Sequence, residues 1–345
     1  MSDPITGIQQ IGIGVSDANH AKLLYKDLFR MDALIFDDQS PATLMTRYTG
    51  NEIHHRHAIL SMNLSGGGGF EIWQFTSRKP TSPSNNIQFG DTGIFAAKIK
   101  CQNIEIAHQY YKKYPGLAVS AINENAFWLK DMNGNNFQLI ASNEWFHSNN
   151  HICGGVAGAV IGVTNMERSL DFYKKVLGLS EVIFDKTIFS DDLTGDGQSN
   201  EYRSVLLHKK KNIAGAFSKL LGDVQIELVQ PLNNNQRKIF ENRYWGDCGF
   251  IHLCFDVLNM DELKKTAEGL GYVFTVDSKD SYAMETSSGR FCYVEDPDGT
   301  LIELVETHKI PVYKKFGWHI DLKKRKKDSP LPDWMIKMLG LNKVK

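Results

Sequence analysis

The chain has 345 residues, 42% of them apolar and 23% charged, which is a globular composition with length enough for two domains. Disorder and collagen are excluded, and the apolar-or-glycine run 154–163 is too short for a membrane-spanning helix. Met1-Ser-Asp-Pro has no signal-peptide pattern, so a soluble cytoplasmic protein is expected. Five cysteines without CxxC spacing argue against a disulfide framework and against a cysteine zinc site. The net charge of −1 averages two unlike parts: residues 308–345 carry eleven Lys/Arg and three Asp, or +8, which leaves −9 on the body. A solvated basic extension lying on an acidic body accounts for this, with neither nucleic acid nor membrane as partner.

Four units follow one another, starting near residues 7, 92, 155 and 249. The first opens with the apolar run Ile8–Asp17 and continues into a helical segment, Ala21–Phe29. The second pairs the strand-like Gly93–Ile99 with a helix over Ile104–Tyr114, then a turn and strand, Leu129–Ile140. The third repeats the first: Val156–Asn165 is followed by Ser169–Gly178, with Leu170, Tyr173, Val176 and Leu177 on one helical face. Asp17 and Asn165 stand at helix N-caps, and Gly178 is a helix stop. The fourth repeats the second, with a strand at Phe250–Val257, a helix over Met260–Gly271, and the turn and strand Val294–Val305. Asp-Met-Asn-Gly and Asp-Pro-Asp-Gly supply the tight turns. A polar stretch ending in glycines, 142–155, reads as the joint between two domains.

The run Ile-Gly-Val-x-Asn-x-x-x-Ser-Leu-x-Phe-Tyr-x-x-Val-Leu-Gly-Leu at 161–179 resembles the vicinal oxygen chelate superfamily, and so does Val-Glu-Asp-Pro-Asp-Gly-Thr-Leu-Ile-Glu-Leu-Val at 294–305. That superfamily includes glyoxalase I, bleomycin-resistance proteins and extradiol dioxygenases. The resemblance implies an α+β fold of four βαβββ modules paired into two cupped mixed sheets. The expected domains are 1–145, with two modules and a degenerate site, and 146–307, with two modules and the candidate metal site. A basic extension with a short helix follows at 308–345.

Family ligands sit on the first and last strands of each module. Carried over residue by residue, they fall on Gln10 and Glu71, Ile94 and Gln138, Gly158 and Glu227, and His252 and Glu303. The resemblance therefore implies a divalent ion held by Glu227, His252 and Glu303, with Glu227 and Glu303 as the catalytic carboxylates. One imidazole and two carboxylates suit Fe, Mn, Ni, Co or Zn. A metal-dependent, glyoxalase-like lyase or isomerase acting on a small vicinal-oxygen substrate is the expected function. An extradiol-type ring-cleaving dioxygenase is the first alternative, and it asks for a second histidine, for which His208 is nearest. A metal-free binding or sequestering protein of the bleomycin-resistance type is the second.

Four further features stand outside that register. His54, His55 and His57 offer imidazoles without matching carboxylates. Tyr282, Met284 and Arg290 precede the last strand and are placed to shape a pocket, with Arg290 as partner for a substrate carboxylate or phosphate. Asp333–Gly340 reads as a short helix capped by Asp333 and stopped by Gly340, docking through Trp334, Met335, Met338 and Leu339. Three aromatic residues, Phe316, Trp318 and Trp334, punctuate the basic tail.

Overall fold

The computed structural model describes residues 4–148, 151–190, 200–212, 214–233, 236–279, 282–284, 287–313, 317–326 and 329–345. Module 1 comprises β1 (Ile5–Gly14), α1 (Ala18–Phe29), β2 (Ala33–Pro41), β3 (His55–Met62) and β4 (Gly69–Phe75). Module 2 comprises β5 (Gly93–Cys101), α2 (Ile104–Lys112), β6 (Ala118–Val119), β7 (Ala126–Lys130) and β8 (Asn136–Ala141). Module 3 comprises β9 (Cys153–Gly162), α3 (Met166–Lys175), β10 (Glu181–Ser190), β11 (Asn200–Lys209), α4 (Ser218–Leu221) and β12 (Val224–Pro231). Module 4 comprises β13 (Gly249–Val257), α5 (Met260–Gly269), β14 (Phe274–Asp277), β15 (Tyr282–Met284), β16 (Ser287–Glu295) and β17 (Leu301–Tyr313); β18 (Trp318–Asp321) and α6 (Asp333–Met338) follow in the tail.

Each module helix starts at a capped residue. The side chains of Asp17, Asn103, Asn165 and Asn259 accept from the backbone N–H three residues on, as sequence spacing predicted for Asp17 and Asn165. Leu170, Tyr173, Val176 and Leu177 are all buried, and Gly178 turns the chain at φ +70°.

The pairing of modules is not the expected one. Antiparallel β1–β13 joins module 1 to module 4 in a ten-stranded sheet, and antiparallel β5–β9 joins module 2 to module 3 in an eight-stranded sheet. The division at 145/146 therefore runs through the smaller sheet. Connection length explains this. The connection 142–152, within the stretch 142–155 read as a domain joint, spans 11 residues and links two modules of one sheet, whereas 76–92 and 232–248 span 17 each and cross between sheets. Modules 1 and 2, and modules 3 and 4, are latched through helix and turn instead. Tyr25 on α1 donates to Asp131 of module 2 at 2.9 Å, and Tyr173 on α3 donates to Asp296 of module 4 at 3.0 Å. The Tyr-Lys helices and the Asp-x-x-Gly turns that carry the family resemblance are the two halves of these latches.

One face of both sheets and the four module helices share the main core, which includes Ile11, Ile72, Ile99, Phe137, Ile161 and Phe255. The opposite, curled faces form two separate cups. The larger sheet's cup holds Phe36, Leu60, Trp73, Trp245, Ile251 and Tyr293, among others. The smaller sheet's cup holds Phe89, Phe95, Val160, Tyr202, Val229 and Ile239.

The tail closes one side of the larger cup. Leu331, Ile336 and Leu339 are buried against it, while Trp334 is 53% exposed. Docking is therefore carried by Ile336 and Leu339, not by Trp334. Asp333 lies in the first turn after Pro332, where it pairs with Lys219 at 2.7 Å and leaves the cap without a side-chain bond. Trp318 is half-exposed on β18, Phe316 lies outside the described residues, and no described helix is long and apolar enough to cross a membrane.

Candidate metal centre

Seven residues before each helix cap stand Gln10, Ala96, Gly158 and His252, one on each first strand. The helix caps thus shift the second module's position from Ile94 to Ala96. On the last strands, parallel register sets Glu71 beside Gly12, Gln138 beside Lys98, Glu227 beside Val160 and Glu303 beside Cys254. These last-strand positions are equivalent in all four modules.

Pairing of modules 1 and 4 then brings Gln10, Glu71, His252 and Glu303 onto the floor of one cup. The ligand atoms of Glu71, His252 and Glu303 lie within 4.8 Å of one another, and all three residues are buried. His252 Nε2 is 3.1 Å from Oε2 of Glu71 and 3.1 Å from Oε2 of Glu303. It lies at ion-pair distance from both but meets the geometry of a hydrogen bond with neither. The Gln10 side chain donates to Glu71 at 3.2 Å and to Glu303 at 3.3 Å, while its own Oε1 is unpartnered. On the far side of the ring, Nδ1 is 3.2 Å from the Tyr293 hydroxyl. Such a contact fixes ring orientation and tautomer. Gly12 makes room for the ring, because a Cβ there would fall 2.7 Å from Nε2.

Burial works against charge on His252, but the carboxylates of Glu303 and Glu71 hold its pKa up at about 9. Burial alone would raise Glu303; the imidazolium beside it brings it below the usual carboxylate range. Two carboxylates and an imidazole converging on one buried point, with no hydrogen bond to Nε2 or Oε1, are a donor set that a divalent cation satisfies. A cavity of about 220 Å³ opens over the cluster, lined by Glu71, Glu303, Trp73, Trp245, Tyr293 and Arg56, among others. Trp245, from the 232–248 connection, has no counterpart in the repeat pattern and was not visible as a site residue.

Glu227 does not join this group. It lies in the smaller sheet's cup, where Lys98 Nζ donates to its Oε2 at 2.7 Å and Ser204 donates to its Oε1 at 2.8 Å. Lys98 also donates to Gln138. Burial would raise the Glu227 carboxyl, but the ammonium holds it below the usual range. First-strand ligands are missing from this cup: Ala96 offers only a methyl, and a Cβ on Gly158 would fall 1.8 Å from the Gln225 carbonyl oxygen. Glu71, from the module read as degenerate, takes the place expected of Glu227.

The other histidine candidates are engaged elsewhere. His208 stands between Glu181 at 2.7 Å and Asp223 at 3.2 Å. His57 contacts Asp37 at 2.7 Å, His54 contacts Ser77 at 3.1 Å, and His55 is exposed. Arg290 is bidentate to Asp277 at 2.9 and 2.8 Å and reaches Asp261 at 2.6 Å. Strand alternation points it away from the cup that receives Phe291 and Tyr293. The side chains of Tyr282 and Met284 lie outside the described residues.

Residues 159–293 match the family model described as the glyoxalase/bleomycin resistance protein/dioxygenase superfamily. No curated protein matches the sequence. Among solved structures, glyoxalase I from Zea mays is similar at TM-score 0.52 and 13% identity, over 87% of this chain and 92% of that one. A candidate dioxygenase from Bacillus subtilis subsp. subtilis str. 168 is similar at TM-score 0.52 and 12% identity, over 88% of this chain and 86% of that one. At these identities the likeness is one of fold. The family model is thus matched over 159–293, and over most of its length the chain shares the fold of these two solved structures.

Proposed function

We propose that the protein is a divalent-metal-dependent enzyme of the glyoxalase-like lyase or isomerase type, acting on a small substrate with two neighbouring oxygens. The observation that carries this reading is the buried His252 Nε2, which faces a carboxylate oxygen of Glu71 and one of Glu303 and hydrogen-bonds to neither. Glu71, His252 and Glu303 would hold the ion, with Gln10 Oε1 in reach of the same point if the amide turns. An ion held there would supply Lewis-acid polarisation of a substrate carbonyl, which makes the proton on the neighbouring carbon more acidic. Glu71 and Glu303 both line the cavity beside His252, so a carboxylate of either one is placed to take that proton and return it. Tyr293 holds the imidazole by Nδ1, leaving Nε2 for the centre. The Trp73, Trp245 and Tyr293 rings line the cavity beside Glu71 and Glu303. A single imidazole in the cluster fits this chemistry better than ring cleavage, which favours two histidines and one carboxylate.

The test is solvent-deuterium exchange at the hydroxyl-bearing carbon of an α-hydroxyketone, followed by NMR with Mn²⁺, Co²⁺, Ni²⁺, Zn²⁺ or anaerobic Fe²⁺. Exchange that needs metal and is lost in His252→Ala supports the reading. Exchange at the same rate in His252→Ala rules it out.

A further inference from the structure

We propose that the Trp245 indole N–H is a substrate-binding donor, holding an oxygen of the chelated ligand on which negative charge accumulates. This rests on the metal centre proposed above. The Trp245 ring lies nearly parallel to the His252 ring, 19° between planes and 6.1 Å between centroids, and sits 4.5 Å from Trp73 and 6.0 Å from Tyr293. It lines the same cavity as Glu71 and Glu303, is 93% buried by its 7% exposure, and its Nε1 has no hydrogen-bond partner. An indole N–H is a donor only and cannot ligate a cation, so what satisfies it is an acceptor brought into the cavity. A ligand whose two oxygens chelate the ion brings that acceptor to the ring.

The local backbone is built to hold this side chain still. Trp245 N donates to the Tyr48 carbonyl at 3.0 Å. Buried Asp247 accepts from Tyr244 N at 2.8 Å, Thr81 N at 2.7 Å and Arg78 Nη1 at 2.5 Å. Gly246 adopts φ +96°, and a Cβ there would fall 2.4 Å from the Trp73 ring. A Cβ on Gly14 of β1 would fall 1.9 Å from the Asp247 carbonyl oxygen, so the turn carrying Trp245 is pressed against the strand that carries Gln10.

The other cup supplies the contrast. Its own crossing segment, 76–92, inserts Phe89, whose ring meets Tyr202 at 5.0 Å, Phe95 at 5.3 Å and Trp128 at 5.9 Å. An aromatic plug without a donor covers the cup that Lys98 fills. The plug with a donor covers the Glu–His–Glu cluster.

Trp245→Phe keeps the ring and removes the donor. Metal-loaded protein is titrated with acetohydroxamate, a bidentate ligand with adjacent oxygens, and metal affinity is measured separately. The expected result is about a tenfold or greater loss of hydroxamate affinity in the variant, with metal affinity unchanged. Unchanged hydroxamate affinity overturns the proposal, as does a loss that only follows weaker metal binding. In wild-type protein, ¹⁵N-labelled tryptophan gives a second reading that needs no variant: the Trp245 indole proton moves downfield on hydroxamate addition, and a stationary signal counts against the proposal. A wild-type protein that takes up no metal overturns both this inference and the function above it. Metal uptake with an indifferent Trp245 overturns this inference alone.

Discussion

Both cups place a glutamate at a last-strand position and line the surroundings with aromatic side chains, but they satisfy that carboxylate differently. In the smaller sheet, Glu227 is paired with a buried ammonium, Lys98, and braced by Ser204. In the larger sheet, Glu71 and Glu303 face a histidine whose inward nitrogen bonds to neither. The difference starts on the first strands. His252 and Gln10 occupy positions that in the other cup are Gly158 and Ala96. Lys98 makes Glu227 a closed ion pair, whereas the larger cup sets two carboxylates against one imidazole whose Nε2 hydrogen-bonds to neither. On the function proposed above, repetition of one module yields one cup finished by folding and one finished by ligand.

The largest effect expected from this contrast is on stability. Lys98→Met strands a buried carboxylate and should cost about 3–5 kcal/mol in urea unfolding, without changing the metal bound per chain. Lys98→Met combined with Glu227→Leu should regain much of that loss. If the double change is as unstable as the single, the ion pair is not what closes this cup.

A second asymmetry is electrostatic. Three residues before the helix caps stand Gly14 and Asp256 in the larger sheet, and Lys100 and Gly162 in the smaller. Burial pushes the Asp256 carboxyl up to about 7, with Glu306 adding to it and the Thr6 hydroxyl and Gln9 amide opposing it. Its folded value is raised above its unfolded one, so between about pH 4 and 7 the folded protein holds a proton that the unfolded chain has released. Stability therefore falls as pH rises through that window, by on the order of a few kcal/mol, and stays lower above it. Asp256→Asn should flatten the dependence and gain stability at pH 8 relative to pH 5. Equal slopes for both proteins in thermal unfolding would remove this account.

The smallest effect concerns the imidazole's support. Tyr293→Phe removes the partner of Nδ1 and should weaken metal binding roughly tenfold, measured by competition with a chelator. Unaltered affinity would mean that packing against Trp245 alone sets the ring.

Much of this was legible in the sequence. Repetition at Asp17 and Asn165 exposed the modules, and the strand register placed Gln10, Glu71, His252 and Glu303 at their positions. Which modules share a sheet was not legible, because modules 1 and 2, and modules 3 and 4, are joined by Tyr–Asp latches rather than by strands. That single unknown replaced Glu71 with Glu227 in the expected ligand set. Ile94 was misplaced because a strand's end is a weaker marker than a helix cap, and the cap at Asn103 identifies Ala96. Trp245 carried no signal, since it belongs to a connection whose shape depends on Gly246 and Asp247. Arg290 read as a substrate partner because its carboxylates, Asp277 and Asp261, come from an adjacent strand and a helix.

Metal content per chain, measured after extensive dialysis on wild-type protein, Glu71→Gln and Glu227→Gln, tests the central claim most directly. One divalent ion per chain in wild-type protein and in Glu227→Gln, and a loss in Glu71→Gln, is the predicted result. Metal that survives Glu71→Gln, or that leaves with Glu227→Gln while the protein stays folded, would contradict a centre built by modules 1 and 4.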